Sequence, residues 1–537
     1  MPMSSSEQTS MARSLAVVGA ATLTSRVTGL IRDVVLAWVL GASMPADCFF
    51  AAFRIPNFLR RIFAEGSMST AFIPVFTELQ TIRGREAAFR LGSILLSWLL
   101  PLLAVVSAAG VLLAPQIVSV LTPGWIKDPQ KFSLTVTLTR LMFPYILLIS
   151  VAALAMGMLN AQGHFAAPAF APVLLNLTMI ASGLVAARLT DQPVLGIAIG
   201  VLLGGAGQIL LQLPALRAKG FRFHLELAPK DPHLRKVGKL LLPSLVGSTV
   251  YQVNMVVITI LASLLPAGSL SYLFYADRLM EFPLGVFAIA LGTVALPTMS
   301  HQAARGDMEA LKQTLGFAFR QVTLVMLPAT VGLIVLREPL MEVIFQRGKF
   351  DPIATRLSAQ ALLCYAVGLW FVAQIRVVAP FFYAMQDTRT PMLAAIVSLA
   401  GNVLFALILM GPFSHAGLAL AVSLAALVQL GILMERLGRR LQGIPWGILL
   451  KYVPKVILAS ALMGGFCALA ADCLPWGSQV PLFRRALALA GTVLMGATLY
   501  GSVLGILGVE DLKELLRDLL AKRSRPGRKG KSSGTPV

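Results

Sequence analysis

Charged residues are scarce in this chain of 537 amino acids, where they make up 13% of the sequence. Acidic residues are the rarer sign, with 24 Asp and Glu against 45 Lys and Arg, which leaves a formal net charge of +21. An ordinary soluble domain has about 25% charged residues, so this composition excludes one. The apolar share of 57% and the mean hydropathy of +0.79 indicate a chain that folds in lipid.

Groups that bind metals or drive catalysis are also few. The four cysteines have neither metal-ligand spacing nor a disulfide pattern, and the five histidines are scattered. The Gly-Lys-Ser at 530–532 resembles the end of a phosphate loop, but Arg525 replaces its first glycine. We therefore expect no catalytic residue, no metal site and no cofactor. A membrane enzyme or a scaffold remains an unsupported alternative to a transporter.

Apolar stretches of about 20 residues, the length of a membrane-crossing helix, recur about fourteen times between Ser14 and Gly508. This pattern predicts an all-α polytopic membrane protein with about fourteen transmembrane helices. The second stretch, 45–78, is too long for one straight helix. Its Pro56, Gly66 and Pro74 predict a break.

The basic residues follow the alternation of the predicted loops, which argues against a nucleic-acid partner. Most Lys and Arg fall in loops on one side of the membrane, the side on which both chain termini lie. By the positive-inside rule both termini are cytoplasmic, which requires an even number of helices. The basic tail, 509–537, is predicted to lie near anionic lipid headgroups.

An internal repeat divides the chain. Arg54 and Arg278 are 224 positions apart, as are Gln162 and Gln386. The repeat predicts two six-helix lobes, 14–217 and 238–437, in the same orientation and related by a pseudo-twofold axis. Outside them lie a cytoplasmic N-terminus (1–13), a basic loop (218–237) and a final helix pair (452–508). The default binding site is a cavity between the lobes.

The repeat also shows which charges the fold does not need. The stretch SRVTGLIRD, residues 25–33, places charges inside an apolar run. At a shift of 224, Arg26, Arg32 and Asp33 correspond to valines, namely Val250, Val256 and Val257. These charges are therefore predicted to serve function.

Arginine exceeds acid within the predicted spans. A charge at the bilayer centre costs at least ~2.5–3.5 kcal/mol, so each needs a partner or water. The arginines are Arg26, Arg32, Arg54, Arg60, Arg61, Arg278 and Arg376, and the acids are Asp33, Asp47, Glu65, Asp277 and Glu281. Excess guanidinium favours a phosphate or diphosphate ligand over a cationic drug.

Not every arginine in this set is expected to bind ligand. Arg54 and Arg60 are alternatively interpreted as snorkelling side chains, and Arg61 as the helix partner of Glu65. Arg26, Arg32 and Arg278 are the strongest candidates for ligand contact. Gly29 lies between the charges of helix 1 and could let that helix bend, although glycine also serves packing in membrane helices.

Four stretches resemble one known family. They are SRVTGLIRD (25–33), GASMPADCFFAAFRIPNFLRRIFAEGSMSTAFIPVF (41–76), FPYILLISVAALAMGMLNAQGHFAAPAFAPVLLN (143–176) and YADRLMEFPLGVFAIALGT (275–293). They closely resemble the MurJ/MviN family of lipid II flippases, within the multidrug/oligosaccharidyl-lipid/polysaccharide exporter superfamily. The resemblance extends to about residue 440, and beyond that depends on the extra helix pair.

The resemblance implies a transporter of the bacterial inner membrane that moves lipid II to the periplasmic leaflet through a cationic, alternately opening cavity. It implies that Arg26, Arg32 and Arg278 contact the diphosphate and sugars and that Asp33 positions them. Arg54, Arg60 and Arg376 are further substrate-binding candidates. Ser25 and Glu65 would form a gate, with Gly29 beside them, and residues 452–508 would hold the lipid tail.

One departure concerns sodium. Some relatives are thought to bind sodium through carboxylates in helices 7 and 11, where this chain offers only Asn254 and Asn402. A site without formal negative charge binds cations weakly, so the membrane potential is favoured as the energy source. Lipid II and membrane lipids are the expected partners, the chain is expected to be monomeric, and cell-wall synthesis proteins are possible associates. An exporter of another polyprenyl-diphosphate oligosaccharide is the main rival.

Overall fold

The computed structural model describes residues 5–60, 68–441, 446–477 and 479–509. Within these ranges the chain is almost entirely helical and contains no β-strand. This confirms the predicted all-α fold class. In hydrocarbon a helix is favoured because it satisfies every backbone hydrogen bond within its own segment.

The helices are numbered in chain order, and their bounds are as follows. They are α1 Ser5–Leu40, α2 Met44–Arg60, α3 Met68–Leu112, α4 Ala114–Leu121, α5 Pro129–Met142, α6 Tyr145–Ala161, α7 Ala166–Leu189, α8 Pro193–Ala218, α9 Pro232–Ser263, α10 Ser269–Pro283, α11 Ile289–Ala304, α12 Met308–Val335, α13 Arg337–Phe345, α14 Pro352–Ala384, α15 Arg389–Arg440, α16 Trp446–Cys473 and α17 Leu482–Ile506. A π-helical turn, Leu284–Ala288, joins α10 to α11.

Ten stretches of the described residues are long and apolar enough to cross a membrane. One of them, Arg389–Arg440, spans 52 residues and is broken at Ser414, where φ is 51°. At 1.5 Å per residue that stretch is long enough for two crossings. The chain is therefore a multi-pass membrane protein, while the number fourteen remains a prediction. In the second predicted span α2 ends at Arg60 and α3 starts at Met68, and Gly66 lies outside the described residues.

The helix bounds recur along the chain at a shift of 223 residues, one fewer than the separation of the two arginine landmarks. Leu40 ends α1 and Ser263 ends α9, and the same shift relates the first residues of α5 and α14 and the last residues of α6 and α14. The loop after α6 has Gly163 at φ 70°, and its counterpart after α14 has Gln386 at φ 58°. A left-handed backbone at a glutamine is uncommon. The second repeat thus keeps the turn geometry without the glycine that favours it.

The contacts within the chain define two compact units. The first contains residues up to 278, 344–361 and 399–421, and the second contains 279–343, 362–398 and residues from 422 onward. A core of the first unit packs α3 against α6 around Phe72, Phe76 and Leu154. A core of the second packs α12 against α16 and α17. The domain bounds inferred from the repeat remain a prediction.

A buried ion pair attaches the last helix pair to the rest of the second unit. Arg485 on α17 donates from Nη1 to Oε1 of Glu342 on α13 at 2.8 Å, and the Gly477 N–H donates to the same oxygen at 2.6 Å. Both side chains are largely buried, at 8% and 11% exposure. Removing one partner of such a pair leaves an uncompensated charge.

We expect Arg485→Met to lower the free energy of unfolding by about 3 to 5 kcal/mol, because Glu342 then stays buried without its counter-ion. Thermal unfolding in detergent measures this. The double variant Arg485→Met, Glu342→Leu should recover most of the loss. A single variant as stable as the parent would show that the pair does not anchor α17.

Candidate anion-binding site

The charged middle of α1 contacts a polar side chain of α7. Arg32 donates from Nε and Nη2 to Oδ1 of Asp33, at 3.0 and 2.7 Å, and from Nη1 to Oδ1 of Asn176 at 3.0 Å. Asn176 in turn donates from Nδ2 to the backbone oxygen of Ser25 and to Oγ1 of Thr28. The guanidinium is therefore held in one orientation by acceptors on two helices.

A second arginine reaches the same carboxylate from α10. Nε of Arg278 lies 3.1 Å from Oδ2 of Asp33. The guanidinium carbon lies 4.8 Å from the centroid of the Phe274 ring, within the range of a cation–π contact. Asp33 thus contacts a residue that lies 245 positions away in the sequence.

Burial differs between the two signs of charge in this cluster, which we call the arginine cluster (Arg32, Asp33, Arg278). The Asp33 side chain is 3% exposed, whereas those of Arg32 and Arg278 are 15% and 29% exposed. One carboxylate faces two guanidinium groups, so the cluster keeps one excess positive charge. This arrangement suits a ligand with forked anionic oxygens, such as a phosphate or diphosphate.

The other predicted binding arginines have different surroundings. Arg26 is exposed on α1, two turns before Asp33. Arg54 donates from Nε to Oγ1 of Thr259, which joins α2 to α9, and Arg60 donates to Asn57 on its own helix. Arg376 is exposed on α14, in the second compact unit. Ligand contact by these four residues remains a prediction.

The predicted gate is only partly within the described residues. Ser25 lies on α1, and its backbone oxygen accepts the Asn176 amide. Gly29 lies in the same unbroken helix, where an added Cβ would be 3.6 Å from Nδ2 of Asn176, an ordinary contact. Glu65, like Arg61, lies outside the described residues. The gate therefore remains a prediction.

Sequence reasoning missed Asn176 as a member of the site. It is 6% exposed and bonds to Arg32, Ser25 and Thr28 at once. The available signal was an amide in an otherwise apolar stretch of α7, since buried polar groups are normally hydrogen-bonded. The sequence does not show which helix supplies its partner.

A second buried carboxylate, Asp47, lies nearer the end of the bundle where α1 finishes. It is 1% exposed and accepts four hydrogen bonds: from Gly268 N at 2.7 Å, Ser271 N at 3.0 Å, Ser271 Oγ at 2.7 Å and Lys131 Nζ at 3.1 Å. Gly268 and Ser271 belong to the start of α10, so Asp47 on α2 caps that helix. The negative charge also meets the favourable end of the helix dipole.

Close backbone contacts accompany this cap at the same end of the bundle. The Lys349 N–H donates to the Trp38 carbonyl at 3.0 Å, and a Cβ added at Gly41 would be 2.3 Å from the Lys349 oxygen. A Cβ added at Gly124 would be 2.1 Å from the Ser263 oxygen. Only glycine permits these approaches. We call the cap and these contacts the closed end (Gly41, Asp47, Gly124 and the chain they touch).

The two asparagines at the place of the suspected sodium site bind each other. Asn402 on α15 donates from Nδ2 to Oδ1 of Asn254 on α9 at 2.5 Å. Oδ1 of Asn254 is thus engaged, whereas Oδ1 of Asn402 is buried without a hydrogen-bond partner in the part of the chain that the structure describes. The described residues contain no cluster of His, Cys, Asp or Glu suited to a metal. The donor set fits sodium poorly, because hard cations favour carboxylate oxygens.

Comparison with known proteins gives one consistent family. The family model described as "Lipid II flippase MurJ" matches residues 36–484. A protein of Vibrio cholerae named "Probable lipid II flippase MurJ" is 38% identical over 509 residues, which is 93% of this chain and 96% of that protein. A protein of Burkholderia cenocepacia named "Lipid II flippase MurJ" is 37% identical, over 92% and 97% of the two chains.

Solved structures agree with these relatives. A structure titled "Lipid II flippase MurJ, inward closed conformation" superposes with a TM-score of 0.76 at 25% identity and covers 94% of this chain and all of that one. An inward-facing multidrug transporter of the MATE family and MOP superfamily gives a TM-score of 0.67 at 15% identity, over 80% of this chain and 98% of that one. At that identity the second match shows the shared fold alone.

We expect Asp33→Asn to lower the free energy of unfolding by about 2 kcal/mol, because the variant removes the buried negative charge that Arg32 and Arg278 both contact. Thermal unfolding in detergent is the measurement. Glu435→Gln is a matched control, since Glu435 pairs with Arg439 on an exposed face of α15 and should change little. Equal stability of the two variants would contradict a compensating role for Asp33.

Proposed function

The chain belongs to the lipid II flippase MurJ family, and from that membership we propose that it moves lipid II from the cytoplasmic to the periplasmic leaflet of the bacterial inner membrane. The membership confirms the family recognised from the sequence. It also favours a transporter over an enzyme or a scaffold, since the family is one of flippases. Lipid II carries a diphosphate, which cannot cross hydrocarbon without compensation.

The arginine cluster is the observation that most directly supports this proposal. Its two partly open guanidinium groups offer forked donors to phosphate oxygens, while the buried Asp33 keeps them apart and oriented. Arg26, on α1 with Arg32, adds a third positive charge. Binding of a diphosphate would compensate the positive charge of these arginines.

We propose transport by alternating access, and the position of the closed end supports this. Asp33 is seven residues before the end of α1, and Arg278 is seven residues after Ser271, so both lie about 10 Å from the closed end along their helices. A headgroup bound at the cluster could leave on that side only if α10 separates from Asp47. We propose that transport breaks this cap, and that the Ser25 and Glu65 gate acts on the other side.

The orientation, the lipid-tail site, the oligomeric state and the energy source in this proposal are predictions from the sequence. Both termini would be cytoplasmic, so that the closed end faces the periplasm. The helix pair α16 and α17 would hold the polyprenyl tail, and the chain would act as a monomer near cell-wall synthesis proteins. The membrane potential, worth about 2.3 kcal/mol per charge per 100 mV, would supply the energy.

The main rival is transport of another polyprenyl-diphosphate oligosaccharide. The arginine cluster would bind the same diphosphate in either substrate, so its geometry does not separate them. Depletion of the protein in cells does, because the lipid-linked precursor that accumulates is its substrate. Accumulation of a precursor other than lipid II would overturn the proposed substrate and leave the binding chemistry intact.

We expect Arg26→Ala, Arg32→Ala and Arg278→Ala each to reduce lipid II transport by about 10- to 100-fold, since a charge-assisted hydrogen bond is worth about 1.5–3 kcal/mol. Arg32→Lys should also be impaired, because the fork is lost. Arg376→Ala should be milder. Periplasmic exposure of lipid II measures transport, and immunoblotting measures the amount of protein in the membrane.

Arg436→Ala is the control for this series, since Arg436 is exposed at the end of α15. It should retain full transport. If a cluster variant lost transport only in proportion to its amount in the membrane, the arginines would be structural.

We expect Gly41→Ala to open the closed end, because its methyl group would overlap the Lys349 oxygen. Gly163→Ala is a matched control: its φ of 70° is close to the 67° of Gly41, yet nothing lies within 4 Å of its added Cβ. The reporter is Ser271→Cys, since Ser271 is fully buried against Asp47, in a chain whose Cys48, Cys364, Cys467 and Cys473 are replaced by serine. An impermeant maleimide should label it faster with Gly41→Ala than with Gly163→Ala, and equal labelling would rule out this closure.

A further inference from the structure

The segment between α8 and α9 contains neither helix nor strand and is attached to the side of α3. We call residues 221–230 the strap. Phe221 is buried with its ring centroid 5.5 Å from that of Phe89. Further along, the Glu226 N–H donates to Oγ of Ser97 at 2.9 Å, and its carboxylate accepts from Nε of Arg90 at 2.9 Å. The strap therefore contacts α3 both at Phe221 and at Glu226.

The Glu226 carboxyl pairs with Arg90 at a solvent-exposed position. The hydrogen bond from Arg90 holds the pKa of the Glu226 carboxyl below its ordinary value. The carboxylate is thus charged at neutral pH.

Three large apolar side chains of the strap point away from the protein. Phe223 is 46% exposed, Leu225 is 76% and Leu227 is 58%. Because they alternate in the sequence, an extended backbone would place these three side chains on one face as an apolar row. Arg222, His224 and Glu226 alternate with them. An apolar row of this kind normally contacts either protein or lipid.

The height at which the strap crosses α3 indicates what covers it. Arg90 is the last charged residue of α3, and the sequence from Leu91 to Leu112 is free of charge. The boundary between headgroups and acyl chains must lie near this transition. Because Glu226 binds both Arg90 and Ser97, the strap crosses α3 at that boundary.

The charge around the strap complements an anionic surface. Residues 217–239 contain seven basic residues: Arg217, Lys219, Arg222, Lys230, Arg235, Lys236 and Lys239. The two acidic residues of this range have partners within the protein, since Glu226 pairs with Arg90 and Asp231 accepts the N–H groups of His233 and Leu234. An apolar row beside excess positive charge is typical of a segment that binds anionic lipids.

We propose that the strap is an interfacial anchor, in which Phe223, Leu225 and Leu227 insert among the lipid chains while Arg222 and Lys230 bind anionic headgroups. Only the side chains enter the hydrocarbon, because an extended backbone cannot satisfy its own hydrogen bonds there. The strap joins the first repeat to the second, so its anchoring fixes their connection to one leaflet.

Spin labels test the depth of the strap in the intact protein. Leu225→Cys and His224→Cys are labelled in a Cys473→Ser background, since Cys473 is the exposed native cysteine. The samples are nanodiscs of pure phosphatidylcholine or of phosphatidylcholine with phosphatidylglycerol. Accessibility to oxygen, which enriches in lipid, is compared with accessibility to a water-soluble nickel chelate. Asp191→Cys, in the exposed loop before α8, reports bulk water.

We expect the ratio of oxygen to nickel accessibility at 225 to be severalfold higher than at 224 or 191, and to rise further with phosphatidylglycerol. Arg222→Gln with Lys230→Gln should remove only this further rise. A ratio at 225 equal to that at 191 would overturn the proposal. Protection of 225 from both reagents would also overturn it, because the row would then be covered by protein.

Discussion

The buried carboxylate of Asp33 is the constraint on which the arrangement of the site depends. At 2% exposure its charge must be compensated within the protein, and the compensation comes from Arg32 on its own helix and Arg278 on α10. The two helices can separate at this point only if the contact between Arg278 and Asp33 breaks. An anionic ligand that compensates the released arginine would lower the cost of that step, so ligand binding and helix separation are coupled.

Asp47 shows by contrast what a purely structural carboxylate requires. It accepts four hydrogen bonds, and its single basic partner, Lys131, is itself buried at 5% exposure. Its charge is fully used within the protein, with no positive excess left for a ligand. Asp33 has two basic partners, and these are partly open. Both carboxylates hold α10, but only the basic partners of Asp33 are partly exposed.

The sequence singles out the charged residues of the arginine cluster but not their contacts. Arg32 and Asp33 stand out because charge in an apolar helix is costly, and the all-α fold follows from composition. Asn176 and Lys131 were missed, since their partners lie 144 and 84 positions away and depend on helix packing. The number of crossings was also uncertain, because charges interrupt α1 and α15 continues for 52 residues.

The two repeats join corresponding helices by different polar pairs. Arg32 and Asn176 connect α1 to α7, and Asn254 and Asn402 connect α9 to α15. At the shift of 223, Asn254 is one position from the counterpart of Arg32, and Asn402 is about one turn from that of Asn176. In the second repeat, neutral amides thus form the corresponding contact between helices. Since the same helix contact forms without charge, the arginine and aspartate of the first repeat need another reason, and an anionic ligand supplies one.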